Sequence, residues 1–138
     1  SLKMIERQTS AKGVQVLSQP PSNIQDVDLD PDGINQVLLN LYLNAIEAME
    51  QGGTLTVSLS KKESSRWVKL TVTDTGTGIS REDLEHIFDP YFTTKQTGTG
   101  LGLAIVHKII EAHSGEVSAE SEVGRGTTVS VLLPAAEA

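Results

Sequence analysis

The sequence predicts an α/β fold, a two-layer sandwich in which a largely antiparallel sheet carries helices on one side. Three observations predict it. Residues 54–60 with 67–73, and 116–121 with 127–133, alternate apolar and polar side chains, the pattern of strands with one buried and one wet face. A segment opened by Asp30-Pro31 and closed by Gly52-Gly53 repeats its apolar residues at helical spacing. A second helix, 103–112, follows a glycine-rich stretch. Such strands and helices bury their apolar sides together only by stacking in two layers.

The composition fits that plan. At 138 residues and 38% apolar content the chain suits one globular domain with one core, and no window approaches a membrane span. It has no cysteine and no signal peptide, which agrees with a reducing interior. A net charge of −7 argues against a nucleic-acid partner, because phosphate contacts need clustered Lys and Arg. Any phosphate bound must be held by backbone, metal and a few cations.

In chain order, residues 2–12 read as a short helix closed by Gly13, and 14–17 and 24–29 as two short strands across Pro20-Pro21. The opening, without a Met, reads as the tail of a longer helix. Residues 1–29 thus lead into a core of residues 30–138. Asp30 caps the long helix and Pro31 takes its first position. Ile34, Val37, Leu38, Leu41, Ala45 and Ala48 make its apolar stripe, and Leu39, Leu43 and Ile46 widen it, so this helix should be largely buried. Gln36, Asn40, Asn44, Glu47 and Gln51 recur three or four residues apart and share a face. Solvated faces favour Lys, Glu and Arg, whereas Asn is a poor helix former; two Asn one turn apart read as chosen for their amides.

The two hairpins follow, around the loops 61–66 and 122–126. Between them Ser80-Arg81-Glu82-Asp83 resembles a capping box opening a short helix through His86. The aromatic segment Phe88-Asp89-Pro90-Tyr91-Phe92-Thr93-Thr94-Lys95 comes next, then Gly98-Thr99-Gly100-Leu101-Gly102-Leu103. Glycines before a helix let backbone N–H groups close on an anion. The spacing matches neither a dinucleotide fingerprint nor a P-loop; the segment reads as a lid held by Phe88 and Phe92.

The first hairpin ends in Asp74-Thr75-Gly76-Thr77-Gly78, a carboxylate at a strand tip beside exposed backbone donors. Three readings fit it: an ordinary turn, the catalytic triplet of an aspartic protease, and the adenine acceptor of one ATPase superfamily. The choice comes from combination. Asn40-Leu41-Tyr42-Leu43-Asn44-Ala45, Asp74-Thr75-Gly76-Thr77-Gly78, Phe88-Asp89-Pro90-Tyr91-Phe92 and Gly98-Thr99-Gly100-Leu101-Gly102-Leu103, in this order, resemble the N box, first glycine box, F box and second glycine box of the catalytic ATP-binding domain of sensor histidine kinases. The phrases Asn-Ala-Ile-Glu-Ala-Met and Phe-Thr-Thr-Lys look closest to the nitrogen- and zinc-responsive group. The likeness spans about residues 30–134.

This resemblance implies a Bergerat fold, a mixed, mostly antiparallel sheet with helices packed on one face, and ATP with Mg²⁺ as ligands. It implies that Asp74 accepts the adenine amino hydrogen, Thr127 joining through water, while Gly76, Gly78 and Ile79 let the ring approach. Asn44 would ligate Mg²⁺ through its amide oxygen, and Asn40 would bond phosphate or metal-bound water. Gly98, Thr99, Gly100, Leu101, Gly102 and Leu103 would fold over the phosphates, and Lys95 would neutralise charge on the γ-phosphoryl. Related chaperone and gyrase ATPases carry Glu at the position of Asn40, where it activates water. An amide cannot take a proton, so hydrolysis should be slow. Where many histidine kinases have Lys, this chain has Glu47, which suits orienting a metal-bound water or polarising the acceptor imidazole.

The family's phosphoacceptor, a His followed by an acidic residue in a helical hairpin, has no counterpart: His86, His107 and His113 read as structural or surface residues. The implied partners are the histidine-bearing dimerisation domain of the same polypeptide and a downstream response regulator. The isolated domain should be monomeric and the full-length protein a homodimer. The implied setting is cytoplasmic, with an inner-membrane anchor compatible with the full-length protein. Alternatives are an all-β homodimeric aspartic protease, a serine-directed kinase or anti-sigma factor of the same superfamily, and a nucleotide-sensing module that transfers nothing.

Overall fold

A computed structural model describes residues 14–19, 31–49, 51–61, 67–90, 92 and 102–134. The expected helix over 2–12 and strand over 24–29 lie outside them. The described elements run β1 (Val14–Gln19), α1 (Pro31–Ala48), β2 (Gly53–Lys61), β3 (Trp67–Asp74), α2 (Arg81–Leu84), α3 (Gly102–Ala112), β4 (Glu116–Glu122) and β5 (Gly126–Pro134).

The described strands form one sheet in the order β1-β2-β3-β5-β4. Both expected hairpins are present and antiparallel, and β3 joins them by pairing antiparallel with β5. β1 lies parallel to β2, Val14 opposite Gly53, and reaches it through α1. A parallel neighbour cannot be reached by a tight turn, so the helix is the crossover. The sheet is thus mixed, mostly antiparallel, as expected.

Period-two alternation sets its faces. Inward rungs run across the strands: Val57, Val72, Val129 and Ala119 in one, Leu59, Leu70, Val131 and Val117 in the next. Against them pack Val37, Leu41, Ala45, Ile46 and Met49 of the α1 region and Val106 and Ile110 of α3. Each fully buried aliphatic side chain contributes on the order of 1.5–3 kcal/mol. The outer face is polar: Thr73 and Thr128 meet there with their hydroxyls 3.0 Å apart.

The α1 stripe differs from the expected one: Leu43 and Ala48 are only half-buried and stand outside the core, Ala48 facing Gly76 instead. Tyr42, by contrast, is buried, and desolvation pushes its phenol above the ordinary value of 10.0. Gln36 and Glu47 are exposed, while Asn40 and Asn44 are half-buried.

α2 begins as the capping pattern required, with the Asp83 N–H donating to Ser80 Oγ at 3.2 Å. It ends at Leu84, two residues short of His86. Turns continue from it, the Asp89 N–H bonding the His86 carbonyl at 2.9 Å, and Phe88 among them meets α3.

Candidate functional site

The inward positions of β3 are Val68, Leu70, Val72 and Asp74. The alternation that buries the strand therefore also carries a carboxylate into the core face at its last residue. Register places it in a rung with Leu55, Thr127 and Ser121. Among the described residues the buried polar side chains are Asp74 and Thr127, each 6% exposed. Burying a carboxylate costs stability unless it is well bonded. Both polar groups stand side by side, where an apolar pair would serve packing, which makes the rung the candidate site.

Beyond Asp74 the chain makes a tight turn in which the Gly76 N–H donates to Asp74 Oδ1 at 2.9 Å. This loop is held from two sides. On the helix side the Thr77 N–H donates to the Ala48 carbonyl at 3.1 Å. Thr75 Oγ1 accepts the Thr54 N–H at 3.0 Å and approaches Met49 Sδ at 3.8 Å. A Cβ at Gly76 would strike the Ala48 carbonyl, so only glycine lets the loop sit this close.

On the hairpin side the Gly124 N–H donates to the Thr77 carbonyl at 2.9 Å, and the Ile79 N–H donates to Ser121 Oγ at 2.7 Å. Gly78 has φ of 76°, and a Cβ there would meet the Glu122 carbonyl. The carboxylate thus rests on a loop fixed to α1 and to the β4–β5 turn. A shallow groove of about 320 Å³ at this end of the sheet has Thr73, Glu120 and Thr128 of the outer face in its wall together with Asp74, Ser121, Arg125 and Thr127.

The amide residues of α1 share a helix face with the residue that meets this loop. Ala48 turns its Cβ towards Gly76, and Asn44 and Asn40 precede it on that face by one and two turns, about 6 Å of helix rise per step. Asn40 Oδ1 accepts from Gln36 Nε2 at 3.4 Å. Its Nδ2 is buried and, among the described residues, has no hydrogen-bond partner. A buried N–H donor left over suits an anionic oxygen. Among the described residues no group of three or more His, Asp or Glu could hold a metal, so a divalent cation here would depend on an amide oxygen and on oxygens brought by a ligand.

Gly102 and Leu103 open α3, whereas Lys95, Gly98, Thr99, Gly100 and Leu101, and with them the expected lid, lie outside the described residues. Phe88 stacks on His107 of α3 at 5.8 Å, and Phe92 on His86 at the same separation. His86 Nδ1 lies 3.0 Å from Asp89 Oδ2, His107 Nε2 lies 3.3 Å from Glu111 Oε1, and His113 Nδ1 lies 2.8 Å from the Ile109 carbonyl oxygen. Each histidine is engaged locally.

Sequence reasoning passed over Ser121 and gave Thr75 no contact of its own. The available signal for Ser121 was its phase: it follows Val117 and Ala119 on the inward side of β4, where a hydroxyl is out of place.

Comparison with known proteins identifies the family. The family described as "Histidine kinase-, DNA gyrase B-, and HSP90-like ATPase" matches residues 29–137. The sensor histidine kinase ZraS of Escherichia coli K12 is 45% identical over 97% of this chain, which corresponds to 28% of that protein. Sporulation kinase E of Bacillus subtilis is 34% identical over 97% of this chain and 18% of its own length. The chain therefore spans under a third of these relatives. Among solved structures, the catalytic domain of the histidine kinase ThkA superposes with a TM-score of 0.83 at 33% identity, covering 97% of this chain and 87% of that one. Full-length ShkA in complex with AMPPNP gives 0.84 at 28% identity, covering 99% and 28%.

Proposed function

This chain belongs to the histidine kinase-, DNA gyrase B-, and HSP90-like ATPases and aligns with a histidine kinase catalytic domain along nearly its whole length, and from that premise we propose that it binds Mg-ATP and delivers the γ-phosphoryl to a histidine on a separate dimerisation domain. The observation that carries the proposal is the rung in which the buried Asp74 and Thr127 are register partners, bordered by a loop whose two glycines are required by space.

In this reading Asp74 accepts a hydrogen of the adenine amine, and Thr127 reaches the same edge of the base through water. Gly76, Gly78 and Ile79 present the flat backbone on which the ring lies. The unpartnered Asn40 Nδ2 donates to a phosphate oxygen. Asn44, one turn closer to the loop, offers its amide oxygen to Mg²⁺, which neutralises phosphate charge when bound. Lys95 and the backbone of Gly98, Thr99, Gly100, Leu101, Gly102 and Leu103 bind the triphosphate in this reading.

Transfer then needs little from the protein beyond positioning. The acceptor imidazole nitrogen bonds the γ-phosphorus as the bond to the bridging oxygen breaks, and ADP leaves. In this reading Glu47, exposed on α1, polarises that imidazole or orients a metal-bound water. Asn40 offers no base for activating water, so transfer outruns hydrolysis. The partners in this reading are the histidine-bearing domain of the same polypeptide in a homodimer, and a response regulator. The setting is cytoplasmic.

The test mixes the protein with a histidine-bearing helical hairpin of a sensor kinase and radiolabelled ATP. The expected product is a phosphoprotein that is acid-labile and base-stable. An acid-stable product would move the acceptor to serine, and no product despite ATP binding would leave a nucleotide sensor.

A further inference from the structure

We propose that Ser121 is the positioning residue of the base subsite, the side chain that fixes the glycine loop and Thr127 in the arrangement that reads an exocyclic amine. The inference rests on the reading of Asp74 and Thr127 as the adenine site. Ser121 stands one strand beyond Thr127 in the Asp74 rung, and its single hydroxyl meets three groups. It accepts the Ile79 N–H at 2.7 Å, donates to the Gly126 carbonyl at 2.9 Å, and lies 2.8 Å from Thr127 Oγ1.

Proton accounting gives these contacts a direction. A serine hydroxyl has one hydrogen, and a carbonyl can only accept. With that hydrogen on Gly126, the Ser121 oxygen accepts from both Ile79 and Thr127. The Thr127 hydroxyl is then oriented by Ser121 rather than free to rotate. The same atom ties the far end of the loop that begins at Asp74, so one side chain sets the separation between the two groups that recognise the base.

Removing it leaves a specific set of contacts intact. The Gly76 N–H still bonds Asp74, and the loop stays attached to α1 and to Gly124 through Thr77. What is lost is the restraint on Thr127 and on the Ile79 end. The consequence falls on recognition of the base more than on folding or on phosphate binding.

The experiment compares the unmodified protein with Ser121→Ala and Ser121→Thr, titrating ADP and IDP calorimetrically. IDP carries a carbonyl where ADP carries the amine, so the ratio of the two affinities isolates base recognition from phosphate binding and from global stability. Ser121→Ala should weaken ADP on the order of fivefold, shift IDP much less, and so lower the ratio. Ser121→Thr, which keeps the oxygen, should restore it. An unchanged ratio in Ser121→Ala, or a Ser121→Thr no better than alanine, overturns the proposal.

Amide exchange at Ile79 in the unmodified protein supplies a test that needs no variant: slow exchange supports the bond to Ser121, and exchange as fast as in an unfolded chain refutes it. Asp74→Asn run alongside separates the two levels. If it too leaves ADP affinity unchanged, the adenine site itself is misplaced; if it weakens ADP while Ser121→Ala does not, only the role of Ser121 falls.

Discussion

Asp74→Asn is the substitution that bears most directly on the site. Asn fills the same volume and can present an oxygen to the Gly76 N–H, which Asp74 Oδ1 accepts at 2.9 Å. The turn that starts the glycine loop is therefore kept. What changes is the other terminal atom, from a charged acceptor to an NH₂ donor, at a position 6% exposed. A hydrogen bond to a charged group contributes about 1.5–3 kcal/mol, and an amine facing an amide donor loses all of it. ADP affinity should fall about 10- to 150-fold, with stability altered by less than about 1 kcal/mol. Asp74→Ala, by contrast, strips the Gly76 N–H of its acceptor and should lower stability by about 1 kcal/mol as well. Calorimetric titration with ADP and urea unfolding of the same samples measure the two effects separately. A folded Asp74→Asn protein that binds ADP as tightly as the parent would refute the assignment.

Three further outcomes are expected. Asn44→Ala should abolish the difference between ADP affinities measured with Mg²⁺ and with a chelator; a difference that persists would place the metal elsewhere. Gly76→Ala drives a methyl into the Ala48 carbonyl and should cost about 1–3 kcal/mol, read as a lower urea midpoint. The Tyr42 phenol is raised above its ordinary 10.0 by desolvation, so the unfolded chain ionises first as pH rises. The protein's stability is then unaffected by Tyr42 below the unfolded value and declines as pH climbs from it towards the folded one. Urea midpoints measured across that window should fall, and fall less in Tyr42→Phe.

Much of this was legible because it is local. Alternation alone carried Asp74 to the inward phase of its strand, since each residue's face follows from its neighbours. The amide face of α1 was legible for the same reason, helical spacing placing Asn40 and Asn44 one turn apart. The parallel pairing of β1 with β2 was not, because six residues of strand carry no mark of which distant edge they join; only the crossover through α1 settles it. Tyr42 was missed because its burial depends on how far α1 is rotated over the sheet, a tertiary choice. Ser121 belongs to the same class: its contacts come from two separate stretches of chain, Ile79 and Gly126-Thr127.

The arrangement also explains how one sheet supports both a core and a site. The rungs through Val72 and Leu70 are apolar across β2, β3, β5 and β4 and hold the helices by burial, which tolerates small shifts. The next rung, from Leu55 to Ser121, continues the same register but turns polar after its first member. Hydrogen bonds, being directional, do not tolerate such shifts. The site therefore inherits its precision from apolar rungs it does not share, and the glycine loop extends that precision outward because α1 and the β4–β5 turn grip it from opposite sides. Loosening the core at Leu70 or Val131 should on this account weaken nucleotide binding in proportion to lost stability, whereas Ser121→Ala should weaken it out of proportion. Plotting ADP affinity against urea midpoint for such variants separates the two, and a single line through all of them would mean that the polar rung adds nothing of its own.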